Sequence, residues 1–391
     1  MTTATTKPTG LEGVIAGDTT ICQVEQTSLI YRGFEIADLA AHATFEEVAY
    51  LLLEGDKPTP AQTKAFSAEL AAERAIPSEV TAFLKASVPW LKAGTAVPMD
   101  VLRTGVSILG HLDAQCQDNS PGANLAKAKR LTAKIPTIIG QMQRFLDGKE
   151  PVEAKTGGDP SLSHSANLLY QMTGSKPSAE DEKVMDVSLI LYAEHDFNAS
   201  TFTGRVIAGT LSDMHGAVCG AIAALKGPLH GGANEAAMEM LKDIRRDIGP
   251  ANDDATIAAW MQRAFAEKRK LMGFGHRVYK NGDHRAGILH ALGRKSAEKR
   301  GAEFVRLFEL GEKVQEIMLE QKNIHPNVDF PCGMTYFTLG IPVPQYTPIF
   351  VASRITGWAA HIMEQHANNR LIRPRAAYSG PALRHWTQPG R

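Results

Sequence analysis

Apolar residues recur at helical spacing along most of the chain, and helix-punctuation signals separate the periodic stretches. Thr44-Phe45-Glu46-Glu47 reads as a capping box ahead of Val48, Leu51 and Leu52, with Gly55 as the stop. Thr59-Pro60-Ala61-Gln62 repeats the device, with Pro60 at the first helical position. Asp100 is placed as the cap of a helix over 101–109. Residues 181–192 carry Val184, Met185, Val187, Leu189, Ile190 and Leu191, a wide apolar stripe. Stretches 256–270, 294–300 and 304–320 predict helices with charged outer faces, and the Ala- and Gly-rich 216–225 predicts a buried one. Only 28–32, ahead of Gly33, predicts a strand. Strands and helices do not alternate and no GxGxxG loop occurs, which argues against a dinucleotide-binding α/β fold. The expected class is all-α. Residues 148–163 and 243–254 read as surface connections.

Composition narrows the picture. At 391 residues, two domains of unequal size are expected. With 43% apolar and 21% charged residues the chain is globular rather than disordered. Lys plus Arg and Asp plus Glu are both 42, so no field invites nucleic acid or an anionic membrane. An anionic substrate must then be held by local arginines. Cys22, Cys116, Cys219 and Cys332 lie far apart without a CxxC pair, which predicts free thiols and a cytoplasmic location. The opening MTTATTKPTG has no apolar stretch of signal-peptide type, and no apolar run approaches the roughly 20 residues of a membrane span.

Candidate chemistry concentrates in four segments: AEHDFNAS (193–200), GPLHGGANE (227–235), GFGHRVYK (273–280) and PNVDF (326–330). Glycines beside His230 and His276 permit close backbone approach to a ligand. Pro228 and Gly231 place His230 at a helix terminus, where an N-terminal dipole would hold the imidazole neutral. Taken singly, each residue has an ordinary structural explanation, and His42, His111, His290 and His325 are read that way. Taken together, three glycine- or cap-flanked histidines and one aspartate in separate loops point to a site. His195, His230 and His276 are far apart in sequence, with no HExxH or Cys pair, so no metal is expected. No GxSxG elbow supports a serine nucleophile.

These segments resemble the citrate synthase family, and the likeness runs from about Gly10 to Gly380. LHGGANE, GFGHRVYK and PNVDF resemble its three active-site loops; AEHDFNAS and SRITGWAAHIMEQ…RLIRP resemble flanking motifs. The resemblance implies condensation of acetyl-CoA with oxaloacetate and water to give citrate and CoA. Asp329 would be the general base, His230 the donor to the enol oxygen and His276 the donor to the oxaloacetate carbonyl. Ser200 is similar to the residue that orients the His230 imidazole. Oxaloacetate is a dianion, and the implied contacts are His195, Asn198, Arg285, Arg354 and Arg373. Arg373 would come from a second subunit, which implies a homodimer. Arg277 and Lys280 would meet CoA phosphates, with an exposed charged face as the competing explanation. No cofactor is implied, since the CoA thioester is a substrate.

The implied architecture is a large helical domain over 1–231 and 341–391 and a small one over 232–340, with a cleft that closes. The length also resembles members without an N-terminal regulatory domain, which implies a dimer rather than a hexamer and no NADH sensing. Three departures stand out. Asp283-His284-Arg285 replaces the usual Asp-Pro-Arg, which is expected to loosen the loop aiming Arg285. Val97 replaces a His ahead of Pro98-Met99-Asp100, with packing consequences only. Phe330-Pro331-Cys332-Gly333 mixes features of citrate synthases and 2-methylcitrate synthases, so acetyl-CoA and propionyl-CoA both stay open as substrates. A non-catalytic helical binding protein is disfavoured because His230, His276 and Asp329 occur together. Metal analysis would separate a hydrolase that uses the same histidines.

Overall fold

The computed structural model describes residues 13–249, 253–276 and 278–386. The described residues form α1 (Ile36–His42), α2 (Phe45–Glu54), α3 (Pro60–Ala72), α4 (Ser78–Lys92), α5 (Pro98–Leu112), α6 (Pro121–Leu146), α7 (His164–Thr173) and α8 (Ala179–Tyr192). They continue with α9 (Ala199–Ala208), α10 (Met214–Leu225), α11 (Ala233–Ile248), α12 (Asp254–Ala266), α13 (His284–Arg300), α14 (Ala302–Lys322), α15 (Asp329–Thr338) and α16 (Tyr346–Ala367). The chain is all-α, as the periodicity requires, with one small sheet near its start. None of these helices is long and apolar enough to cross a membrane.

Local punctuation works as read. Thr44 and Glu47 satisfy each other's main-chain N–H groups at 3.3 and 2.8 Å, and Gly55 ends α2 with φ +98°. Pro60 occupies the first position of α3 behind the Thr59 cap. Four expectations need correction. The strand at Leu29–Tyr31 is not alone: it is the middle of an antiparallel sheet with Cys22–Val24 and Phe34–Glu35. These partners are too short to show a period of their own. Asp100 is not a cap residue. The helix begins at Pro98, and the Asp100 carboxylate reaches back to the Val97 N–H at 3.3 Å. Residues 243–248 are helical, because Ile244 and Ile248 continue the buried stripe of α11 and outweigh the charge around them. The 294–300 helix starts earlier, at His284 under an Asp283 cap.

Two of the most deeply buried helices build the site. Every residue of α16 from Tyr346 to Ile362 is buried, so this helix is core on all faces. It packs against α6, α8, α9, α10 and α2. In α8, Val184 to Tyr192 are likewise buried. The polar residues that these two helices carry inward, Arg354 and Trp358 from α16 and Tyr192 from α8, therefore meet inside the molecule.

Candidate active site

The turn joining α8 to α9 is the centre around which the site is built. Tyr31 of the small sheet braces it, its hydroxyl donating to the Glu194 carbonyl at 2.8 Å. Glu194 is wholly buried and meets His361 of α16 at 2.9 Å. Asp196 takes φ +52°, a left-handed conformation uncommon outside glycine and tolerated best by Asn and Asp. Asn198 caps α9. Its Oδ1 accepts the Thr201 N–H at 3.1 Å and stands 2.8 Å from Ser200 Oγ, while Nδ2 donates to the His195 and Asp196 carbonyls. The Asn198 amide is thus engaged in shaping the turn.

His230 approaches this turn from the short connection between α10 and α11, two residues ahead of the Gly232 cap. Its Nε2 lies 2.8 Å from Ser200 Oγ and 3.3 Å from the Ser200 main-chain N–H. That N–H can only donate, so Nε2 is the unprotonated nitrogen and Nδ1 carries the proton. Trp358 Nε1 donates to Ser200 Oγ at 3.1 Å and fixes the hydroxyl from behind. Burial, then the Arg354 charge, pushes the imidazole down to about 4, so it is neutral near pH 7. The expected neutrality holds, with burial rather than a helix dipole as its cause.

His276 and Asp329 sit on two loops zipped together by the main chain. Gly275 N–H donates to the His325 carbonyl at 2.8 Å, Asn327 N–H to Gly273 at 3.0 Å, and Phe274 bridges Pro326. Gly273 and Gly275 have φ +82° and +75°. A Cβ on Gly273 would come within 2.9 Å of the Phe330 Cβ, so close approach requires glycine there. His276 Nδ1 accepts the Val278 and Tyr279 N–H groups at 3.1 and 3.2 Å, which leaves the proton on Nε2. Its ring stacks on Tyr279, with centroids 4.5 Å apart, and meets the His195 ring edge-on at 5.1 Å. Burial, then Arg285, lowers it to about 4. His195 is pushed well below its ordinary value by the same causes, and its Nε2 lies 3.1 Å from the Tyr279 hydroxyl.

Asp329 is the first residue of α15. Tyr192 donates to its Oδ1 at 2.8 Å. Burial raises the carboxyl to about 6, a shift that the Tyr192 hydrogen bond and the Arg285 charge only partly offset. The site therefore pairs a carboxylate of raised basicity with two neutral imidazoles that each hold one donor proton.

Two buried arginines face this group. Arg285 is gripped by Asp283, Nε to Oδ1 at 3.0 Å and Nη2 to Oδ2 at 2.8 Å. Asp283 also caps α13 and accepts the Val328 N–H at 3.1 Å, which ties the arginine to the Asp329 loop. The loop is thus held despite His284 in place of proline. His284 is an exposed first helical residue, a position that does not need proline's fixed φ. Arg354 is only 2% exposed, yet has no carboxylate within ion-pair distance among the described residues. Its Nε donates to the Tyr192 carbonyl at 2.7 Å. Burial pulls it below the ordinary arginine value. A buried guanidinium without a counter-ion is a ready anion site.

The fold thus brings together His195, Asn198, Ser200, His230, His276, Arg285, Asp329 and Arg354. It does not bring in Arg373, which is exposed on the extended segment after α16. Lys280 is exposed, its Nζ 3.4 Å from the His276 carbonyl, and Arg277 lies outside the described residues.

Known proteins match this chain in sequence and fold. The family model described as "Citrate synthase, C-terminal domain" matches residues 10–375. The chain belongs to the citrate synthase family. A 2-methylcitrate synthase of Shewanella oneidensis is 45% identical, over 96% of this chain and 95% of that protein. A citrate synthase of Heyndrickxia coagulans is 42% identical, over 95% of each. The solved ternary complex of Thermoplasma acidophilum citrate synthase with carboxymethyl coenzyme A and oxaloacetate superposes with a TM-score of 0.87 at 31% identity, over 97% of this chain and 98% of that one. As a citrate synthase-type enzyme, this chain is an acyltransferase.

Four residues of this citrate synthase-family site escape a reading of the motifs. Tyr192 precedes AEHDFNAS on an apolar helix and looks like core. Trp358 is one aromatic on a helix buried all round. Tyr279 and Asp283 lie within or beside the His276 motif, where the histidine and arginine draw attention first. A lone buried Tyr hydroxyl or Trp N–H requires a partner. That requirement is the one sequence-level signal, and it does not say which partner.

Proposed function

We propose that this enzyme joins the α-carbon of a short acyl-CoA thioester to the keto carbon of oxaloacetate, with Asp329, His230 and His276 as the reacting groups. The observation that carries this reading is the grouping of one carboxyl raised to about 6 with two neutral, singly protonated imidazoles beside an unpaired buried arginine. Asp329 takes the proton from the α-carbon. His230 Nδ1–H stabilises the oxygen charge that develops on the thioester carbonyl. The new C–C bond forms as His276 Nε2–H protonates the former ketone oxygen. Water then cleaves the thioester, releasing CoA and the tricarboxylate. Arg354 and Arg285 bind oxaloacetate carboxylates, and His195 and Asn198 shape the turn beneath them. No step calls for a metal or a redox cofactor.

The proposed unit is a cytoplasmic homodimer in which Arg373 reaches the partner's oxaloacetate and Lys280 and Arg277 meet CoA phosphates. Residues 232–340 form a small domain that closes on 1–231 and 341–391. In support, His276 and Asp329 come from the first part, while Tyr192 and His195 face them from the second. Closure would exclude water before the thioester enters.

Acetyl-CoA and propionyl-CoA are both proposed substrates. Relatives bearing the two names match at 45% and 42% identity, and one methylene is worth only about 1–3 kcal/mol in an apolar pocket. Measuring CoA release with oxaloacetate and each thioester tests the proposal. We expect turnover with both, with kcat/KM differing by less than about 200-fold. Turnover with neither thioester would refute the condensation.

A further inference from the structure

A second group of chemistry-bearing side chains lies at the other end of α10. His230 follows the C-terminal end of that helix, whereas Asp213 and His215 stand at its start. The helix has 12 residues, which separates the two places by about 18 Å at 1.5 Å per residue. Cys116, from the connection between α5 and α6, joins Asp213 and His215. One donor atom from each of the three lies within 4.8 Å of the others. Cys116 Sγ is 3.9 Å from His215 Nδ1.

The surroundings favour a metal over the alternatives. Asp213 Oδ1 caps α10, accepting the Gly216 N–H at 2.8 Å, and the carboxylate also pairs with the Cys116 thiol, the proton that a metal would replace. The far nitrogen of His215, Nε2, faces Asp113 Oδ2 at 3.6 Å. Arg130 in turn grips that carboxylate through two nitrogens at 2.9 and 3.0 Å. At 3.6 Å the His215–Asp113 pair lies just outside hydrogen-bond distance, and a shift of under about 1 Å would complete the carboxylate–histidine pairing that orients metal-ligating imidazoles. Space for the group is secured by Gly110 of α5, where a Cβ would stand 2.9 Å from the His215 Cβ and 3.7 Å from Cys116 Sγ. A cavity of about 270 Å³, lined by Asp113, Arg130 and His215 among others, borders the outer side of the His215 ring. Lys127 directs its ammonium at the carbonyls of Cys116 and Asp118 at 3.2 and 2.6 Å.

We propose that Cys116, Asp213 and His215 bind a divalent zinc ion in a site separate from the acid–base centre. Thiolate, imidazole and carboxylate together suit zinc, and three protein ligands leave a fourth position for water. The Cys116 thiol releases its proton on binding and the sulfur takes the metal in its place. The ion would pin the α5–α6 connection to the start of α10.

The test uses the full chain, stripped with chelator, desalted and dialysed against zinc. Wild type should retain one zinc per chain, with a rise in Tm. Cys116→Ser and His215→Gln should lose that zinc, and Asp113→Asn should weaken binding about 10- to 100-fold. Cobalt in place of zinc should give wild type a thiolate-to-metal charge-transfer band that Cys116→Ser lacks. This spectrum decides the matter even where a variant folds poorly. Condensation by Cys116→Ser should stay at the wild-type rate. Wild type without stoichiometric zinc, a cobalt complex without the thiolate band, or zinc kept by Cys116→Ser and lost from a His276→Ala variant would each overturn the site.

Discussion

At the scale of the residue, Asp329 is the group whose environment departs furthest from water in a useful direction. Its carboxyl is raised to about 6, so it ionises just below neutral pH. We predict that kcat/KM for condensation falls on the acid side with an apparent pKa near 6. His230 and His276, held at about 4, stay neutral through that range and do not set the limb. Tyr192→Phe removes the hydroxyl that stabilises the ionised carboxylate, so its acid limb should move to higher pH. A limb unmoved in Tyr192→Phe would break the assignment. Asp329→Asn should lose about 10²- to 10⁴-fold in kcat. The same change should stabilise the fold above pH 6. A carboxyl whose folded pKa lies above its unfolded one favours the native state least where both forms are ionised, so stability falls as pH rises from about 4 to 6. Thermal melts of wild type and Asp329→Asn at pH 5 and pH 8 check the sign. The gap should be wider at pH 8.

At the scale of the element, glycines mark where helices and loops approach the site too closely for a side chain. α16 passes the hub turn at Gly357, where a Cβ would lie 2.4 Å from the Ala193 carbonyl and closer still to a Glu194 carboxylate oxygen. Gly357→Ala should cost about 1–3 kcal/mol of stability and displace the turn that carries His195 and Ser200. Denaturant unfolding with kinetics in parallel measures both. Punctuation was readable at this scale wherever it is local. Thr44, Gly55 and Thr59-Pro60 declare their helices because caps involve only neighbouring residues. Where tertiary packing decides, local cues mislead. The charged run around Asp243 belongs to a helix because Ile244 and Ile248 are buried. The two outer strands are held by their partner rather than by any pattern of their own.

At the scale of the whole molecule, Arg373 tests how many chains make one site. It is exposed here, whereas Arg354 and Arg285 are buried. If it serves a partner, Arg373→Ala should raise the KM for oxaloacetate about tenfold or more, the scale of a lost charged hydrogen bond. Mixed dimers of Arg373→Ala with Asp329→Asn should then recover turnover with the wild-type KM for oxaloacetate, a combination neither parent has, because one of the two sites regains both residues. Co-refolding the two variants and assaying CoA release makes the measurement. Absence of recovery from a confirmed mixed dimer would place Arg373 outside the site.

The sequence by itself determined the helical class, the main caps and the four loops that hold the proposed reacting groups, because these are written in periodicity and in short contiguous motifs. It also fixed which residue types are present: one aspartate, three histidines and the arginines. Only the tertiary structure decided their chemical states. Burial makes both imidazoles neutral, the Ser200 and Val278 N–H groups choose which nitrogen keeps the proton, and Tyr192 and Asp283 enter as partners from distant parts of the chain. The physical reason is that desolvation and hydrogen-bond geometry depend on what surrounds an atom in space. Residues 137 positions apart, as Tyr192 and Asp329 are, become neighbours only when the helices pack.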